Sequence, residues 1–437
     1  MSAVYSRGFK GKYTPLIWVE IYLISTILLF SMGPINFEIH NGIIFWLLLI
    51  FYHLFFILGY CIGVSQYFNK TVTHSNHVFS NKMYWILFGL GIIGAWAAYK
   101  NIMMMDGLIP YDFFENLFRG FTEPGLAYTE RMQELDTFSS SSRLFNIVFM
   151  VFAFAKMLFV FYFIHYWSDL NLAKRFVAII YSLLFLSAGI SAGVNSIIFI
   201  FVIFSMFSLL VVAYKIKYAH FKKVLIIAVV LFLLPISWFG KIMSERGGGF
   251  DYFASTAPLR DIGVDSSFVL DATPSVWDFF YYSFVWLCYY VCQGYYGFSL
   301  ILNLDFKWTY GFGNSEFLQR QFLMITSVDI APATFQSRID HLWDKSAQWH
   351  SFYGQIANDV GFVGVAFVML LIGFIFAKAW SSAMMMKSFY ALALIPIFII
   401  MFVFFPANNQ VFGYIDTFSY FLFVSLFWIF ESKKIRI

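Results

Sequence analysis

Long apolar stretches alternate with short polar connections along nearly the whole chain. A bilayer core of about 30 Å needs about 20 apolar residues as a helix. The pattern predicts such runs at 15–32, 42–64, 83–105, 144–167, 175–192, 195–214, 223–243, 277–302, 351–377, 389–405 and 411–430. A weaker stretch, 309–326, is either a twelfth crossing or a partly inserted helix. The pattern therefore predicts an all-α polytopic membrane protein with about 11–12 transmembrane helices.

The composition agrees with this class and excludes others. Of the 437 residues, 61% are hydrophobic and only 12% are charged, which is far too little polar surface for a soluble domain. No internal repeat or low-complexity segment divides residues 1–437, so a single integral membrane domain is expected. The net charge of +4 does not suggest nucleic-acid binding. The three cysteines lie in apolar stretches without His or Cys partners at ligand spacing, so neither a disulfide framework nor a metal site or cofactor is predicted. The basic N-terminal segment lacks a small-residue cleavage site, so it is expected to be retained.

Basic residues in every second connection predict the orientation. They are Arg7, Lys10, Lys12, Lys70, Lys82, Lys174, Arg175, Lys215, Lys217, Lys222, Lys223, Lys378, Lys387, Lys433, Lys434 and Arg436. The connection 106–143 instead holds seven acids against three arginines. By the positive-inside rule both termini are cytoplasmic, and three long loops, 106–143, 244–276 and 327–350, lie outside. Termini on one side require an even number of crossings, which favours 309–326 as a crossing.

The second outer loop contains a candidate anion site. Arg246 follows a predicted span that ends with Lys241, and Gly247 to Gly249 leave the backbone free to approach a ligand closely. A guanidinium beside exposed backbone N–H groups suits a phosphate or pyrophosphate. The alternative is a flexible helix end with a snorkelling arginine.

The third outer loop and the span after it contain the candidates for acid–base chemistry. His350 ends the loop, and a histidine titrates near neutrality and can serve as a general base. Asp359 lies near the mouth of the following span, where a carboxylate is costly unless it is solvated or paired. Gly361 and Gly364 predict close helix packing through small faces. Lys156, near the middle of its span, is expected to pair with Glu20 or to line a polar cavity.

Aromatic residues crowd 277–310. An interfacial belt explains most of them, but the run from Gln293 to Gly297 is unusually polar for a span, and aromatic faces also stack on sugar rings. Part of this set, including Tyr295 and Tyr296, therefore suits a substrate groove.

Three segments resemble a known superfamily. His350-Ser351, followed after nine residues by Gly361 and after two more by Gly364, resembles the signature of the O-antigen ligase and polymerase superfamily. QGYYGFSLIL (293–302) and TYGFGNS (309–315) further resemble Wzy-type repeat-unit polymerases. The resemblance implies a GT-C-like helical fold in the bacterial inner membrane, with a periplasmic active site. The implied reaction is a metal-independent transfer of the growing glycan from undecaprenyl pyrophosphate to a sugar hydroxyl of the next lipid-linked unit.

The resemblance also implies roles for residues and partners. Pyrophosphate would be held by Arg246, Arg338, Arg260, Arg320 and Lys241, and the catalytic base would be His350, with Asp340 or Asp359 as the fallback. The glycan would contact Tyr295, Tyr296, Tyr310 and Trp349. The partners would be lipid-linked glycan donor and acceptor, membrane lipids and a polysaccharide chain-length regulator. Two alternatives stay open: an O-antigen ligase, because the histidine of the signature is typical of ligases, and a lipid-linked oligosaccharide transporter.

Overall fold

The chain folds into a bundle of long helices. The computed structural model describes residues 11–65, 78–105, 107, 109–135, 143–216, 276–385 and 388–434, with the short pieces 223–227, 229, 236, 239, 243 and 263–264. Lys241, Arg246 and Arg260 lie outside these residues, as does most of the loop 244–276.

The described part of residues 11–216 contains eight α-helices and one short strand. They are α1 (Thr14–Met32), β1 (Ile35–Asn36), α2 (Gly42–Ser65), α3 (Asn81–Ile102), α4 (Phe113–Thr122), α5 (Pro124–Leu135), α6 (Arg143–His165), α7 (Leu172–Ser191) and α8 (Asn195–Ile216).

The remaining described residues continue the bundle. They form β2 (Gly263–Val264), α9 (Val276–Ile301), α10 (Glu316–Thr326), α11 (Phe335–Arg338), α12 (Phe352–Met385), α13 (Phe389–Phe404) and α14 (Ile415–Lys434). The two strands pair antiparallel, with Ile35 opposite Val264.

Among the described residues, seven helices are long and apolar enough to cross a membrane: α1, α2, α3, α7, α8, α12 and α14. Two shorter apolar helices, Phe149–His165 within α6 and Phe389–Phe404, match two further predicted spans. The predicted all-helical, multi-pass architecture is thus confirmed at this level. The predicted span 223–243 lies largely outside the described residues.

The bundle has two distinct ends. At the end named here the basic end, the Tyr60 hydroxyl donates to the backbone oxygen of Lys12, and Tyr84 donates to that of Lys174, each at 2.7 Å. The Ser388 hydroxyl donates to Glu431 at the same end. The connections 33–41, 192–194, 302–351 and 405–414 lie at the opposite end, named here the loop end. Lys12 and Glu431 therefore lie at one end of the bundle.

The helix α9 runs across the loop end, so the predicted crossing at 277–302 is wrong. Its Tyr289 stacks on Phe37 with ring centroids 6.3 Å apart, and Asn41 donates to the backbone oxygen of Ser299 at 3.3 Å. Both contacts are with the connection between α1 and α2. The reason is its polar content, because the tyrosines of α9 and Gln293 favour an interfacial position over the hydrocarbon core.

The stretch 309–326 was predicted as either a twelfth crossing or a partly inserted helix, and the crossing alternative is wrong. Its helix, α10, has only 11 residues. That is about 16 Å of helix, roughly half the hydrocarbon thickness. Without 277–302 and 309–326, ten of the predicted spans remain, and one of these, 223–243, lies largely outside the described residues.

Small residues bring α2 and α12 into close contact, but they are different glycines from those expected. A Cβ on Gly59 would collide with the backbone oxygen of Leu370, and one on Gly373 would collide with that of Phe56. By contrast, a Cβ on Gly361 would meet only the Phe306 ring, 3.7 Å away, and one on Gly364 would meet Val360 of its own helix. The helix-packing role predicted for Gly361 and Gly364 is therefore wrong.

Gly361 instead breaks α12 into two segments. Its φ of 68° and ψ of 169° lie in a region that only glycine adopts readily. The break separates the short segment 352–360, which carries Asp359, from the long apolar segment that packs on α2.

Candidate functional site

Segments distant in the sequence meet at the loop end around Asn358 and Asp359. These are the turn 309–315, the helix α11 and the first segment of α12. The connection 405–410 completes the cluster, since the Phe352 N–H donates to the Phe405 oxygen at 2.9 Å. The segment 293–302 joins them through the Ser351 N–H, which donates to the Gly294 oxygen at 3.2 Å.

The carboxylate of Asp359 holds the turn 309–315. Its Oδ1 lies 2.5 Å from the Thr309 hydroxyl and accepts from the Gly313 N–H at 2.8 Å. Its Oδ2 accepts from the backbone N–H of Asn314 at 3.0 Å and from the Nδ2 of the same residue at 2.8 Å. With three N–H donors and the Thr309 hydroxyl arranged around two oxygens, the carboxylate is a clamp for the turn, and it has little capacity left for a substrate.

Asn358 ties a second segment to the same point. Its Oδ1 accepts from the Phe335 N–H at 2.8 Å, and its Nδ2 donates to the Gln336 side chain at 2.7 Å and to the Gly313 oxygen at 3.0 Å. All three bonds are buried, where an amide must find partners. Asn358 was not among the predicted site residues, although its place beside Asp359 in an apolar span is a readable signal.

The turn 309–315, which Asp359 holds in place, exposes Tyr310 next to Trp308 at the surface. Tyr310 has a φ of 59°, a left-handed value that is uncommon for a non-glycine residue. Its side chain is 52% exposed. The ring stacks on Phe322 of α10 with centroids 5.5 Å apart, and the Trp308 ring lies 4.7 Å from it in a tilted arrangement. Backbone strain of this kind persists only where neighbouring contacts hold it, and the Asp359 clamp does so.

His350 lies beneath α9 and is almost fully buried, at 3% exposure. Neither ring nitrogen has a hydrogen-bond partner among the described residues. A Cβ on Gly297 would lie only 3.0 Å from the Nδ1 of His350, so this glycine makes room for the ring. Burial lowers the pKa of His350 from 6.5 to about 3. The ring is therefore neutral at neutral pH, and it can offer one acceptor and one N–H to a ligand or water.

Arg338 is directed towards the surface by Asp305. Its guanidinium donates to the backbone oxygen of Asp305 at 2.6 Å and also to the carboxylate. This hydrogen-bonded guanidinium holds the pKa of the Asp305 carboxyl below its usual range. The Asp305 side chain is 72% exposed, so an incoming anion can compete with it for Arg338.

The other predicted site residues fall into two groups. Asp340 and Arg320 are exposed at the loop end, and Asp340 accepts from the backbone N–H of Lys345 at 2.8 Å. Tyr295 and Tyr296 are buried in the packing beneath α9. Trp349 is half-buried, and its backbone N–H donates to the Gln293 side-chain oxygen at 3.0 Å.

The glycines of the QGYYG segment are explained by packing. A Cβ on Gly294 would collide with the backbone oxygen of Pro406 and would lie 2.6 Å from the Ser351 N–H nitrogen. The segment therefore lets α9 rest directly on the backbone of the connections next to His350.

Polar residues in the connection 405–410 were missed by the sequence reasoning. The Asn409 Nδ2 donates to the backbone oxygen of Asn314 at 2.9 Å. Gln410 is buried, and neither side-chain polar atom has a partner among the described residues. The run Asn408-Asn409-Gln410 between two apolar stretches is the signal that could have indicated it.

Two polar pairs lie within the helices. His53 Nδ1 and Glu20 Oε2 are 2.8 Å apart, and Lys156 is paired with Asp416. The expected pairing of Lys156 with Glu20 is therefore wrong, because Glu20 faces α2 whereas Lys156 faces the first turn of α14. Within the described residues, no group of three or more His, Cys, Asp or Glu side chains could hold a metal ion.

The fold defines the chain as a multi-pass, helical, membrane-type protein. Its sequence matches no protein-family model, no curated protein and no solved structure.

Proposed function

We propose that the protein is a membrane glycosyltransferase of a GT-C-like type that polymerises lipid-pyrophosphate-linked oligosaccharide units. The observation that carries the proposal is the convergence at Asn358 and Asp359. Through it the turn 309–315, Arg338 and the His350 segment lie together at the loop end, opposite the basic end. The proposed location is the bacterial inner membrane, with the basic end in the cytoplasm and the loop end in the periplasm.

The reaction forms one glycosidic bond and breaks one bond to phosphate. The acceptor hydroxyl oxygen attacks the anomeric carbon of the donor glycan, and undecaprenyl pyrophosphate leaves with the electron pair of the cleaved C–O bond. The hydroxyl proton passes to a base or to water. Holding both lipid-anchored substrates at one membrane height contributes much of the rate enhancement.

His350 acts in this scheme by orienting the acceptor. A buried imidazole with a pKa of about 3 is a weak proton sink, but its free acceptor nitrogen can align a hydroxyl. Because α9 covers His350, a substrate can reach the imidazole only if α9 moves away from it. Asp359 is a positioning residue, because its oxygens are occupied by the turn, and Asp340 is the exposed alternative base.

The departing pyrophosphate needs cations at the membrane surface. Arg338 is the best-supported candidate within the described residues, because a pyrophosphate oxygen can replace the exposed Asp305 carboxylate on its guanidinium. Arg320 supplies a second exposed charge, and Arg246, Arg260 and Lys241 complete the proposed set. The half-exposed Tyr310 and the half-buried Trp349 are the aromatic surfaces available to a sugar ring, whereas Tyr295 and Tyr296 serve the packing of α9.

The test is polymerisation by the purified protein supplied only with lipid-pyrophosphate repeat units. The wild type should give a ladder of products, and Arg338→Gln should reduce the rate at least tenfold. Lys378→Gln, at the basic end, is the matched control and should keep the wild-type rate. Absence of a ladder from folded wild-type protein with verified substrate would overturn the polymerase assignment. Product formed only when a lipid A core or protein acceptor is added would indicate a ligase.

Transport of lipid-linked oligosaccharide is a second candidate, favoured by one observation. The Glu20–His53 and Lys156–Asp416 pairs place ionisable groups inside apolar helices, where such groups often mark a substrate or proton path. Reconstituted protein that moves a fluorescent lipid-linked oligosaccharide across liposomes, and forms no polymer, would support transport.

A further inference from the structure

The helix α4 displays an aromatic stripe away from the bundle. Phe114 and Phe118 are four residues apart, so they share one side of the helix, and Tyr111 lies in the turn just before it. Phe114 is 81% exposed and Phe118 is 72% exposed. Phe121 continues the stripe by three further residues. Exposed phenylalanines in such a row indicate an interaction surface.

The opposite side of α4 is fixed to the bundle. A Cβ on Gly120 would collide with the backbone oxygen of Ile190 and would lie 2.8 Å from the Ser191 Cα. Phe113 packs on Tyr99 in the last turn of α3, with ring centroids 5.2 Å apart. The stripe therefore has a defined direction, pointing outward from the ends of α3 and α7.

The exposed residues of the neighbouring helix α7 show where the stripe on α4 lies between the two ends of the bundle. The large exposed residues of α7 are Leu172, Phe176, Ile179, Ile180 and Leu183, and none lies nearer the loop end than Leu183. Beyond it, Phe185 and Ala188 are buried, and α4 packs on this end of α7 through Gly120. The stripe on α4 thus continues the apolar outer surface of a candidate membrane span.

We propose that α4 is an interfacial membrane helix whose stripe inserts among the lipids of the leaflet at the loop end. The occupant is lipid because the stripe is continuous with the exposed side of α7 and contains no charge. The charged residues lie on the other sides of α4, and Arg119 is paired with Glu130 at 2.6 Å. This arrangement is that of an amphipathic helix lying in the plane of the interface.

The proposal changes the interpretation of residues 106–143, which the sequence placed outside as a polar loop. Part of that loop becomes a component of the membrane-facing surface, next to the ends of α3 and α7. The inference does not depend on the proposed enzymatic function, and its test uses no activity.

The test places a nitroxide label at residue 118 or 115 of the full protein in phosphatidylethanolamine–phosphatidylglycerol nanodiscs. The variants are Phe118→Cys and the matched control Glu115→Cys, which is exposed but polar and lies off the stripe. The unsubstituted protein is treated with the label in parallel, to measure how much label Cys61, Cys288 and Cys292 take up. Collision of each label with lipid-soluble oxygen and with a water-soluble nickel chelate is then compared.

Insertion predicts several-fold greater collision with oxygen than with the nickel chelate at residue 118, and the reverse order at residue 115. Equal or greater collision with the chelate at residue 118 would show that the stripe faces water and would overturn the proposal. Protection from both reagents would show that protein covers the stripe, which overturns it equally. Size-exclusion profiles matching the unsubstituted protein confirm that both variants are folded.

Discussion

Asp359 binds Asn314 through both the backbone N–H and the side-chain amide, at 3.0 and 2.8 Å. The two residues are 45 positions apart in the sequence. The bonds connect the broken helix α12 to the turn that displays Tyr310. The carboxylate therefore links a residue of a candidate span to the exposed aromatic surface, and this link governs the first prediction.

Asp359→Ala should destabilise the protein by about 3 kcal/mol, because several donors lose an ionised acceptor at once. Asp359→Asn should be milder, since one oxygen remains, but its NH₂ group opposes the N–H donors of the turn. The measurement is unfolding of the purified protein in detergent, in parallel with the polymerisation assay. Loss of activity with unchanged stability would instead make Asp359 a catalytic base.

Gly361→Ala should destabilise the protein by about 1–3 kcal/mol, because alanine is strained at a φ of 68° and a ψ of 169°. Gly89→Ala is the matched control, since a Cβ there meets nothing within 4 Å in the described structure. In a regular helix that change should be neutral or slightly stabilising, by at most about 1 kcal/mol. Equal melting temperatures for Gly361→Ala and wild type would contradict the break in α12.

Lys156→Met and Asp416→Asn should each destabilise the protein by about 3 kcal/mol, because each leaves a poorly solvated charge without its partner. The double variant should recover most of the loss, since both charges are then gone. A double-mutant cycle measured by unfolding gives the coupling between the two side chains directly. Additive effects of the single changes would show that the pair makes no net contribution.

Acid should destabilise the protein partly through His350. Its pKa is 6.5 when unfolded and about 3 when buried, so the unfolded state binds more protons between these values. Stability from this group is complete above pH 6.5 and declines as the pH falls towards 3, by about 1.4 kcal/mol per unit. Unfolding as a function of pH should therefore show a shallower acid decline in His350→Gln than in wild type. Parallel curves would show that the imidazole is solvated.

Much of the helical architecture could be predicted from the sequence. The apolar runs at 15–32, 42–64 and 175–192 are long enough to need no tertiary information, since any segment of that length and hydropathy must form a helix in lipid. The predicted crossing at 277–302 and the crossing alternative at 309–326 both fall where polar residues weaken the hydropathy pattern. In α9, tyrosines and Gln293 make the stretch ambiguous between a span and an interfacial helix, and only its contacts with Phe37 and Asn41 decide.

Predictions of which residues contact each other were less successful than predictions of helices. Charge alone made Glu20 a reasonable partner for Lys156, but pairing depends on which faces of which helices meet. The same reason applies to Gly361 and to Gly59, since both glycines suit close packing by composition. Their φ values and neighbours, and not their residue type, distinguish a helix break from a helix contact.

The sequence by itself determined the class of protein and the position of most helices along the chain, because these follow from hydropathy. Only the tertiary structure decided that Asp359 holds a turn, that α9 covers His350 and that α4 exposes its phenylalanines outward. Those features depend on contacts between residues far apart in the sequence, and local composition carries no information about which distant groups meet.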